Sequence, residues 1–345
     1  MTPSLSPQSP GIQARRLPVP GAPRKAPPLF LSGFGHYFPD EVLDNRFFVE
    51  TGVDTTEEWI ESHLGIQERR RAPAEHDTSH LGARSLEDAC RRTGWKPADL
   101  DLVVLATSTP DALIPATASF CCKHLGIDPV AFDINAACSG FIYGLAVAQG
   151  LVGSLGSQRA ALVTAEKYTR VTDYSDRSSC VFFGDGAATV LLQAERPSRG
   201  FELVDLLLEN RNQGADMVTT PVGGCFRQEG RAVKEHALQA FVGLSREILE
   251  RNGATPAGLR GFVGHQANLR VLETVAAELG VTPEQHWSNV RWKGNQGAAG
   301  CATSFVEGVL GHLEELRDGD LVLCTVFGSG FTSGSALLRW TATGA

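Results

Sequence analysis

Cys138 lies in a run of small residues, 136–140, between two apolar segments. Residues 130–134, which precede it, have the composition of a strand, and residues 141–152, which follow it, have that of a helix. A thiol on such a turn meets the positive end of the helix dipole, and its small neighbours leave room for a substrate. The placement predicts a nucleophile, although free cysteines are more often buried structural residues.

Two polar residues far downstream, His265 and Asn295, sit in similar surroundings. His265 follows residues 261–263 and Asn295 follows residues 287–292, and both runs are predicted to be strands. Sites of α/β folds are built where strands end, so both side chains could reach Cys138. A single histidine at a strand end is usually structural, but a thiol with two polar partners on the same kind of turn indicates a catalytic group.

Composition limits the classes of function. The chain has 345 residues, of which 42% are hydrophobic, so it can bury a large core and form two domains or two fused halves. Its formal net charge is −8, and no run of basic residues is long enough to follow a phosphate backbone. We therefore expect no nucleic-acid partner.

The cysteines and the apolar runs bear on location. Eight cysteines are present without a C-x-x-C pair or histidines at metal-binding spacing, which is typical of reduced thiols in a cytoplasmic protein. No continuous apolar run approaches the roughly 18 to 20 residues of a membrane span, and the N-terminus lacks a secretory signal. We therefore expect a cytoplasmic protein with no metal and no membrane partner.

The chain divides into an extension and two halves. Residues 1–28 are rich in Pro, Ser and Arg and are predicted to be disordered. Beyond them, strand-like and helix-like runs alternate, which indicates an α/β fold. The predicted strands are 29–34, 102–106, 130–134, 160–165 and 187–192, and the predicted helices include 56–62, 80–93 and 116–125.

The second half, 197–345, repeats the plan of the first, 29–196. The Cys138 turn with its helix corresponds to the Asn295 turn with the helix predicted at 298–313, and both halves end in a glycine-rich turn that enters a strand. If the halves pack with pseudo-twofold symmetry, the two turns face each other with His265 beside them. A central shared site follows.

From about Pro28 to the C-terminus the sequence resembles the thiolase superfamily, and within it the β-ketoacyl-acyl-carrier-protein synthase III family. Four motifs in order carry the resemblance: Ala136-Ala137-Cys138-Ser139-Gly140-Phe141, Gly264-His265-Gln266-Ala267-Asn268-Leu269-Arg270, Gly294-Asn295 and the glycine-rich segment 327–337. The resemblance implies a five-layered αβαβα fold, a homodimer, and no metal or redox cofactor.

The resemblance also implies a two-stage decarboxylative Claisen condensation. Cys138 would take an acyl group from acyl-CoA or an acyl carrier protein, with the backbone N–H groups of Cys138 and Ser329 as the oxyanion hole. A malonyl thioester, delivered by CoA or a carrier protein, would then lose CO2. His265 Nε2 and Asn295 Nδ2 would stabilise the enolate, whose carbon attacks the acyl group.

Residues that hold the thioester carrier follow from the same resemblance, which assigns contacts with CoA or a carrier protein to Trp59, Arg170, Asn268 and Arg270. His63 stands where the family often has an arginine against the adenine, and this difference weakens the prediction of CoA. Ile114 matches a gate that one subunit places at the acyl pocket of the other.

Other functions are compatible with some of these residues. A papain-like protease has the same order of Cys, His and Asn, but the local motif around its nucleophile is absent here. The same fold could transfer an acyl group to a hydroxyl or amine, or join two acyl chains, and the sequence leaves both alternatives open. A non-catalytic acyl-binding subunit is disfavoured because Cys138, His265 and Asn295 are all retained.

Overall fold

A computed structural model of the chain describes residues 15–16 and 27–342. The strands, in chain order, are β1 Arg15–Arg16, β2 Phe30–Tyr37, β3 Glu41–Asp44, β4 Glu68–Arg71, β5 Leu102–Ala106, β6 Val130–Ile134, β7 Ala160–Lys167, β8 Asp185–Gln193, β9 Arg199–Asn210, β10 Val218–Thr219, β11 Arg227–Gln228, β12 Leu259–Gly264, β13 Leu321–Gly328 and β14 Thr332–Ala342. The helices are α1 Asn45–Glu50, α2 Glu57–Leu64, α3 Thr78–Thr93, α4 Thr117–Leu125, α5 Gly140–Leu155, α6 Gly230–Arg251, α7 Leu269–Leu279, α8 Val290–Lys293 and α9 Gly297–His312. Short 3-10 helices connect several of these elements.

The main sheet displays the duplication. In the first half the strand order is β2-β8-β7-β5-β6, and in the second it is β9-β14-β13-β12. In each half, the first strand of the half in chain order lies beside the last one, and the remaining strands continue outward from that pair. The halves join where Phe30 and Leu31 of β2 pair with Glu202 and Phe201 of β9. The predicted boundary at 196/197 falls in the loop between β8 and β9.

Helices cover both faces of each half-sheet and share a central layer. α3 and α4 pack on the outer face of the first half, and α6 packs on β9, β13 and β14 with α7 beside it. α5 and α9 lie between the half-sheets and contact each other. Their aromatic side chains form the central core, where the Phe305 ring lies 5.9 Å from Phe141 and 5.5 Å from Phe201. Helix, sheet, helix, sheet and helix give the five predicted layers.

The predicted disorder of residues 1–28 falls mostly outside the described residues. Within them, Arg15–Arg16 pairs antiparallel with Asn210 and Glu209 at the end of β9. β2 covers only the start of that edge of β9, so the free backbone groups further along can accept another strand. At these two residues the extension is ordered against the body, which composition did not predict.

The strand predicted at 287–292 was wrong. The structure has a loop there, followed by the single turn of α8, and only His286 bridges to Phe262 of β12. The backbone N–H groups of Asn289 and Val290 donate instead to the Gln266 Oε1 atom at 3.0 and 3.1 Å. A buried side-chain amide therefore takes the donors that a neighbouring strand would have used.

β6 forms the free edge of the first half-sheet, because it pairs with β5 on one side only. Its side chains are exposed or half-buried rather than buried, and Val130 is 66% exposed. An apolar edge strand of this kind can pair with another chain.

One segment, Ala137–Leu155, is long and apolar enough to cross a membrane by length and composition. It contains α5, whose inner face is buried against β5, β7 and α9 in the central layer. Core helices pass the same test, and the contacts of α5 explain its apolar composition as protein core.

Candidate active site

The Cys138 turn has the strained geometry of a nucleophile turn. Ala137, just before the cysteine, has φ 46°, and among the described residues it is the one non-glycine with a positive φ. Ser139 then forms the N-cap of α5. Cys138 therefore projects from the end of β6 at the positive end of a helix, as its sequence position predicted.

The backbone holds His265 and Asn295 at the edges of neighbouring elements. The His265 N–H donates to the Thr325 carbonyl at 3.0 Å, and the Asn295 N–H donates to the Phe182 carbonyl at 2.8 Å. The Asn295 Oδ1 atom accepts from the Gly297 N–H at 3.0 Å. This bond fixes the amide, so that Nδ2 is left as the donor that can meet a ligand.

One cavity of about 180 Å³ brings Cys138, His265 and Asn295 together, with Ser329 also in its wall. The rest of its lining is mainly apolar and consists of Phe182, Phe183, Val218, Phe226, Gln228, Gly230, Val233, Lys234, Ala237, Phe241, Ala267, Asn268, Val271, Phe327 and Gly328. An apolar cavity with a few convergent polar groups is the usual form of a site for a small-molecule chain.

The two helices of the central layer start at this cavity. A Cβ atom on Gly140 would lie 2.9 Å from the Ala298 Cβ, so the starts of α5 and α9 are in direct contact. A Cβ atom on Gly328 would lie 2.9 Å from the Cys138 backbone nitrogen. The glycine-rich turn therefore passes against the amide of the nucleophile, and the meeting of turns expected from the duplication is present.

Burial determines the protonation states of Cys138 and His265. Burial raises the pKa of the Cys138 thiol to about 12, and the nearby charge of Glu166 acts in the same direction. Burial also lowers the pKa of His265 to about 4. At neutral pH the site therefore rests as a thiol and a neutral imidazole, and not as a thiolate–imidazolium pair.

The surroundings of His265 select its tautomer. Its Nδ1 atom is buried and has no hydrogen-bond partner among the described residues. A proton on Nδ1 would leave a buried donor unpaired, whereas a proton on Nε2 leaves only a lone pair there. The Nε2–H tautomer, with its donor toward the cavity, is the form that the fold favours.

Asn268, Arg270 and Trp59 gather where α2 meets α7. The Asn268 Oδ1 caps α7, and its Nδ2 donates to the His63 carbonyl at 3.3 Å. Arg270 donates to the Ser62 carbonyl at 3.2 Å and pairs with Glu273. The His63 ring stacks on the Trp59 indole with a centroid separation of 4.6 Å. Of this group, only Asn268 lines the cavity.

The other residues predicted to contact a carrier or the acyl pocket lie apart from the cavity. Arg170 donates to the Pro110 carbonyl at 3.0 Å and forms an ion pair with Asp77 at 2.6 Å. Ile114 is 88% exposed. It is not among the residues that line the cavity.

Sequence reasoning missed two buried residues beside the nucleophile, Glu166 and Tyr168. Glu166 is fully buried in β7, where every residue is buried. A carboxylate in a strand that begins with four apolar residues was the available signal, because charged side chains are rarely buried without partners. Among the described residues no group of His, Cys, Asp and Glu could hold a metal ion.

Comparisons with known proteins agree with this geometry. The family profile described as 3-oxoacyl-[acyl-carrier-protein (ACP)] synthase III matches residues 132–211, and the profile of its C-terminal domain matches residues 249–340. A beta-ketoacyl-[acyl-carrier-protein] synthase III of Ruegeria sp. (strain TM1040) is 35% identical over 318 residues, which cover 89% of this chain and 98% of the relative.

Solved structures extend the similarity to the fold. The 3-oxoacyl-[acyl-carrier-protein] synthase III of Aquifex aeolicus VF5 superimposes with a TM-score of 0.84 at 33% identity, covering 90% of this chain and 99% of that one. The priming beta-ketosynthase of the R1128 polyketide pathway gives a TM-score of 0.82 at 29% identity, covering 91% and 96%. The thiolase-like fold is confirmed, and the chain belongs to the 3-oxoacyl-[acyl-carrier-protein] synthase III family.

Proposed function

We propose that this chain is a condensing acyltransferase that loads an acyl group on Cys138 and extends it with a malonyl thioester. The observation that carries the proposal is that Cys138, His265 and Asn295 line one apolar cavity. The product is a β-ketoacyl thioester for fatty-acid or polyketide-type biosynthesis, in keeping with the names of its relatives.

In the loading stage, the Cys138 sulfur attacks the carbonyl of an acyl thioester. The backbone N–H groups of Cys138 and Ser329 stabilise the oxyanion, and the close approach of Gly328 to Cys138 supports this pairing. The carrier thiol leaves and takes up the proton that Cys138 gave up. Sulfur suits this role because one thioester replaces another, so the acyl group stays activated for the next step.

In the condensing stage, the malonyl thioester loses CO2 and its electron pair moves to the thioester enolate. His265 Nε2 and Asn295 Nδ2 donate to the enolate oxygen, which is consistent with the favoured tautomer of His265 and with the fixed Asn295 amide. The new carbanion attacks the acyl carbonyl, the C–S bond to Cys138 breaks, and the Cys138 thiolate takes one proton from solvent. The electrons of both stages come from the substrates themselves, so we propose that no cofactor takes part.

We propose that the carrier arm enters at the Asn268 side of the cavity, where Arg270 and Trp59 lie nearby. The Trp59–His63 stack would open to admit adenine if CoA delivers the acyl group. An acyl carrier protein, which brings only the phosphopantetheine arm, needs no such opening. Arg170 is held by Asp77 and would have to exchange this partner for a phosphate.

We also propose that the active protein is a homodimer in the cytoplasm. The free edge of β6 and the exposed side chains of Leu113 and Ile114 provide an apolar surface in the first half. Pairing two such edges would cover it and bring Ile114 to the other subunit. All eight cysteines are free, which fits a reducing compartment.

Intact-protein mass spectrometry tests the function. The protein is incubated with acyl-CoAs from acetyl to dodecanoyl, beside Cys138→Ala, and malonyl carrier protein is then added. We expect a mass gain that the variant lacks and that malonyl carrier protein discharges as a β-ketoacyl product. An adduct that malonate never extends would instead indicate acyl transfer to another acceptor.

A further inference from the structure

Glu166 lies in β7 as a buried anion surrounded by donors. Its carboxylate accepts hydrogen bonds from the hydroxyls of Thr107, Ser108 and Thr109 at 3.1, 2.7 and 2.5 Å. It also accepts from the Ser108 N–H at 3.0 Å and from the Ala298 N–H at 3.2 Å. All five partners donate, so the surroundings are built for a carboxylate and not for a neutral acid.

The segment 107–109 gives this carboxylate a fixed base. The Thr107 hydroxyl oxygen accepts from the Thr109 N–H at 3.0 Å, and the Thr109 hydroxyl oxygen accepts from the Lys167 N–H at 2.8 Å. Each hydroxyl therefore has its oxygen held by the backbone and its proton on Glu166. The Thr107 N–H in turn donates to the Ile134 carbonyl at the end of β6, at 3.1 Å. Glu166 is thus anchored on the side of the first half.

The other side of the carboxylate faces the turn that carries Asn295. The Gly297 N–H donates to the Asn295 Oδ1 atom at 3.0 Å, so the side-chain amide moves with this turn. The next N–H, that of Ala298, leaves the turn and donates to Glu166. A Cβ atom on Gly297 would lie 3.0 Å from the Glu166 Oε1 atom, so the carboxylate lies directly against the turn.

We propose, resting on the function proposed above, that Glu166 is a positioning residue for the condensing stage. Its carboxylate holds the first turn of α9, and this turn holds the Asn295 amide through the Gly297 N–H. The Asn295 Nδ2 atom is thereby kept in place for the enolate oxygen. An anion also suits the first turn of a helix, because the helix dipole is positive there.

The same contacts predict that loading does not depend on Glu166. The proposed oxyanion donors of that stage are the backbone N–H groups of Cys138 and Ser329. Among the hydrogen bonds of the described residues, the Glu166 carboxylate makes none to the turns 136–140 and 328–330. Loss of the Glu166 contact should therefore slow one stage and spare the other.

The test measures both stages by single-turnover mass spectrometry in Glu166→Asp. This variant keeps the charge but is one methylene shorter, so it cannot reach both segment 107–109 and Ala298. We expect the condensing step to slow by about 10- to 100-fold, because small misplacements of a reacting geometry are costly. The loading rate should stay within about twofold of the parent rate. Equal slowing of the two stages would overturn the proposal.

Glu166→Gln protects the test against loss of folding in the shorter variant. It keeps the length and one oxygen that can accept from Ala298, so its condensing step should slow less than that of Glu166→Asp. If Glu166 acted through its charge and not its reach, the order of the two variants would be reversed, which would contradict the positioning role.

A double-mutant cycle asks whether Glu166 acts through Asn295. In an Asn295→Ala background no amide is left to position, so Glu166→Asp should slow condensation by less than about twofold. Equal slowing with and without the Asn295 side chain would refute the role.

Asp185→Asn is the matched control. Asp185 is also a buried carboxylate, in the neighbouring strand β8, but its side chain accepts from the Ala72 and Thr169 N–H groups at 2.8 and 2.9 Å and not from α9. We expect the ratio of its loading and condensing rates to equal that of the parent. The same stage-selective loss as in Glu166→Asp would overturn the assignment to Glu166.

Hydrogen–deuterium exchange tests the contact without any substrate. In Glu166→Asp the Ala298 N–H loses its acceptor, so peptides that cover 296–301 should exchange faster than in the parent, and those that cover 141–147 of α5 should not. Unchanged exchange at 296–301 would refute the contact. Faster exchange in a parent that loads but never condenses would refute the condensing function and leave the hold of Glu166 on the Asn295 turn intact.

Discussion

Each half of the chain contributes one helix that begins at the site, and the turns before these two helices carry different residues. The turn before α5 carries the nucleophile and bends at Ala137, a residue that resists a positive φ. The turn before α9 carries Asn295 and bends at Gly294 and Gly297, with φ of 66° and 51°. Duplication therefore supplies two helix starts that meet, and we propose that the first half provides the reactive sulfur and the second half the side-chain donors His265 and Asn295.

The half-sheets differ at their outer edges as well. The first ends in β6, a complete strand with a free edge, whereas the matching place in the second holds a single bridge between Phe262 and His286. A complete strand can extend its ladder to another chain, and a single bridge cannot. The comparison supports our proposal that the first half, and not the second, forms the dimer contact.

The division of chemistry between the halves gives the largest predicted effect. Asn295→Ala and His265→Ala remove enolate donors, so the condensing step should slow by about 10² to 10³-fold. Acyl loading on Cys138 should remain, because its proposed oxyanion donors are the backbone N–H groups of Cys138 and Ser329 and not these two side chains. Single-turnover mass spectrometry separates the two stages. Equal loss of loading would show that His265 and Asn295 act in both stages.

The neutral state of His265 gives a prediction of pH dependence. Its pKa is lowered to about 4 in the folded chain, whereas the unfolded residue has an ordinary pKa of about 6.5. The unfolded state therefore binds more protons between these values, and the free energy of unfolding should fall as pH drops from 6.5 to 4.

His265→Gln removes this titration. The wild type should lose about 3 kcal/mol relative to the variant between pH 7 and pH 4. Urea unfolding curves across that range provide the measurement. Parallel pH profiles for the two proteins would show that His265 is not held neutral by burial.

The contact between the two helix starts predicts a loss of stability. In Gly140→Ala the new methyl group would meet the Ala298 and Ala106 Cβ atoms at 2.9 and 3.0 Å, so we expect a loss of about 1–3 kcal/mol. Gly243→Ala is the control, since a Cβ there meets nothing within 4 Å in the middle of α6. It should raise stability by about 0.5–1 kcal/mol. Thermal unfolding would rank the variants, and equal stabilities would contradict a tight junction.

The smallest effect concerns the free edge of the first half. Ile114→Glu places a charge on the proposed dimer surface and should raise the dimer dissociation constant about tenfold. Val222→Glu, at a residue 83% exposed on another loop, is the control and should leave the constant unchanged. Sedimentation analysis measures both. A monomeric wild type, or equal constants for both variants, would remove the proposed role of this edge.

Local patterns in the sequence predicted much of the scaffold and the three polar residues at its centre. The runs at 102–106 and 160–163 are continuous and apolar, and the structure buries them as parts of the strands β5 and β7. The run at 287–292 failed because Gln266, from another part of the chain, takes its backbone donors. Tyr168 and Glu166 were missed for a related reason, because their partners are distant in sequence: Ser108 reaches both through the pairing of β5 with β7, and Ala298 reaches Glu166 from the second half.

The neutral thiol at the centre of the site has a consequence for survival under oxidative stress. Peroxides attack thiolates, and the susceptibility of a cysteine follows its thiolate fraction and exposure. With its pKa raised to about 12 by burial, Cys138 offers almost no thiolate at neutral pH. We therefore expect peroxide to oxidise Cys138 in the substrate-free protein more slowly than it would a cysteine of low pKa.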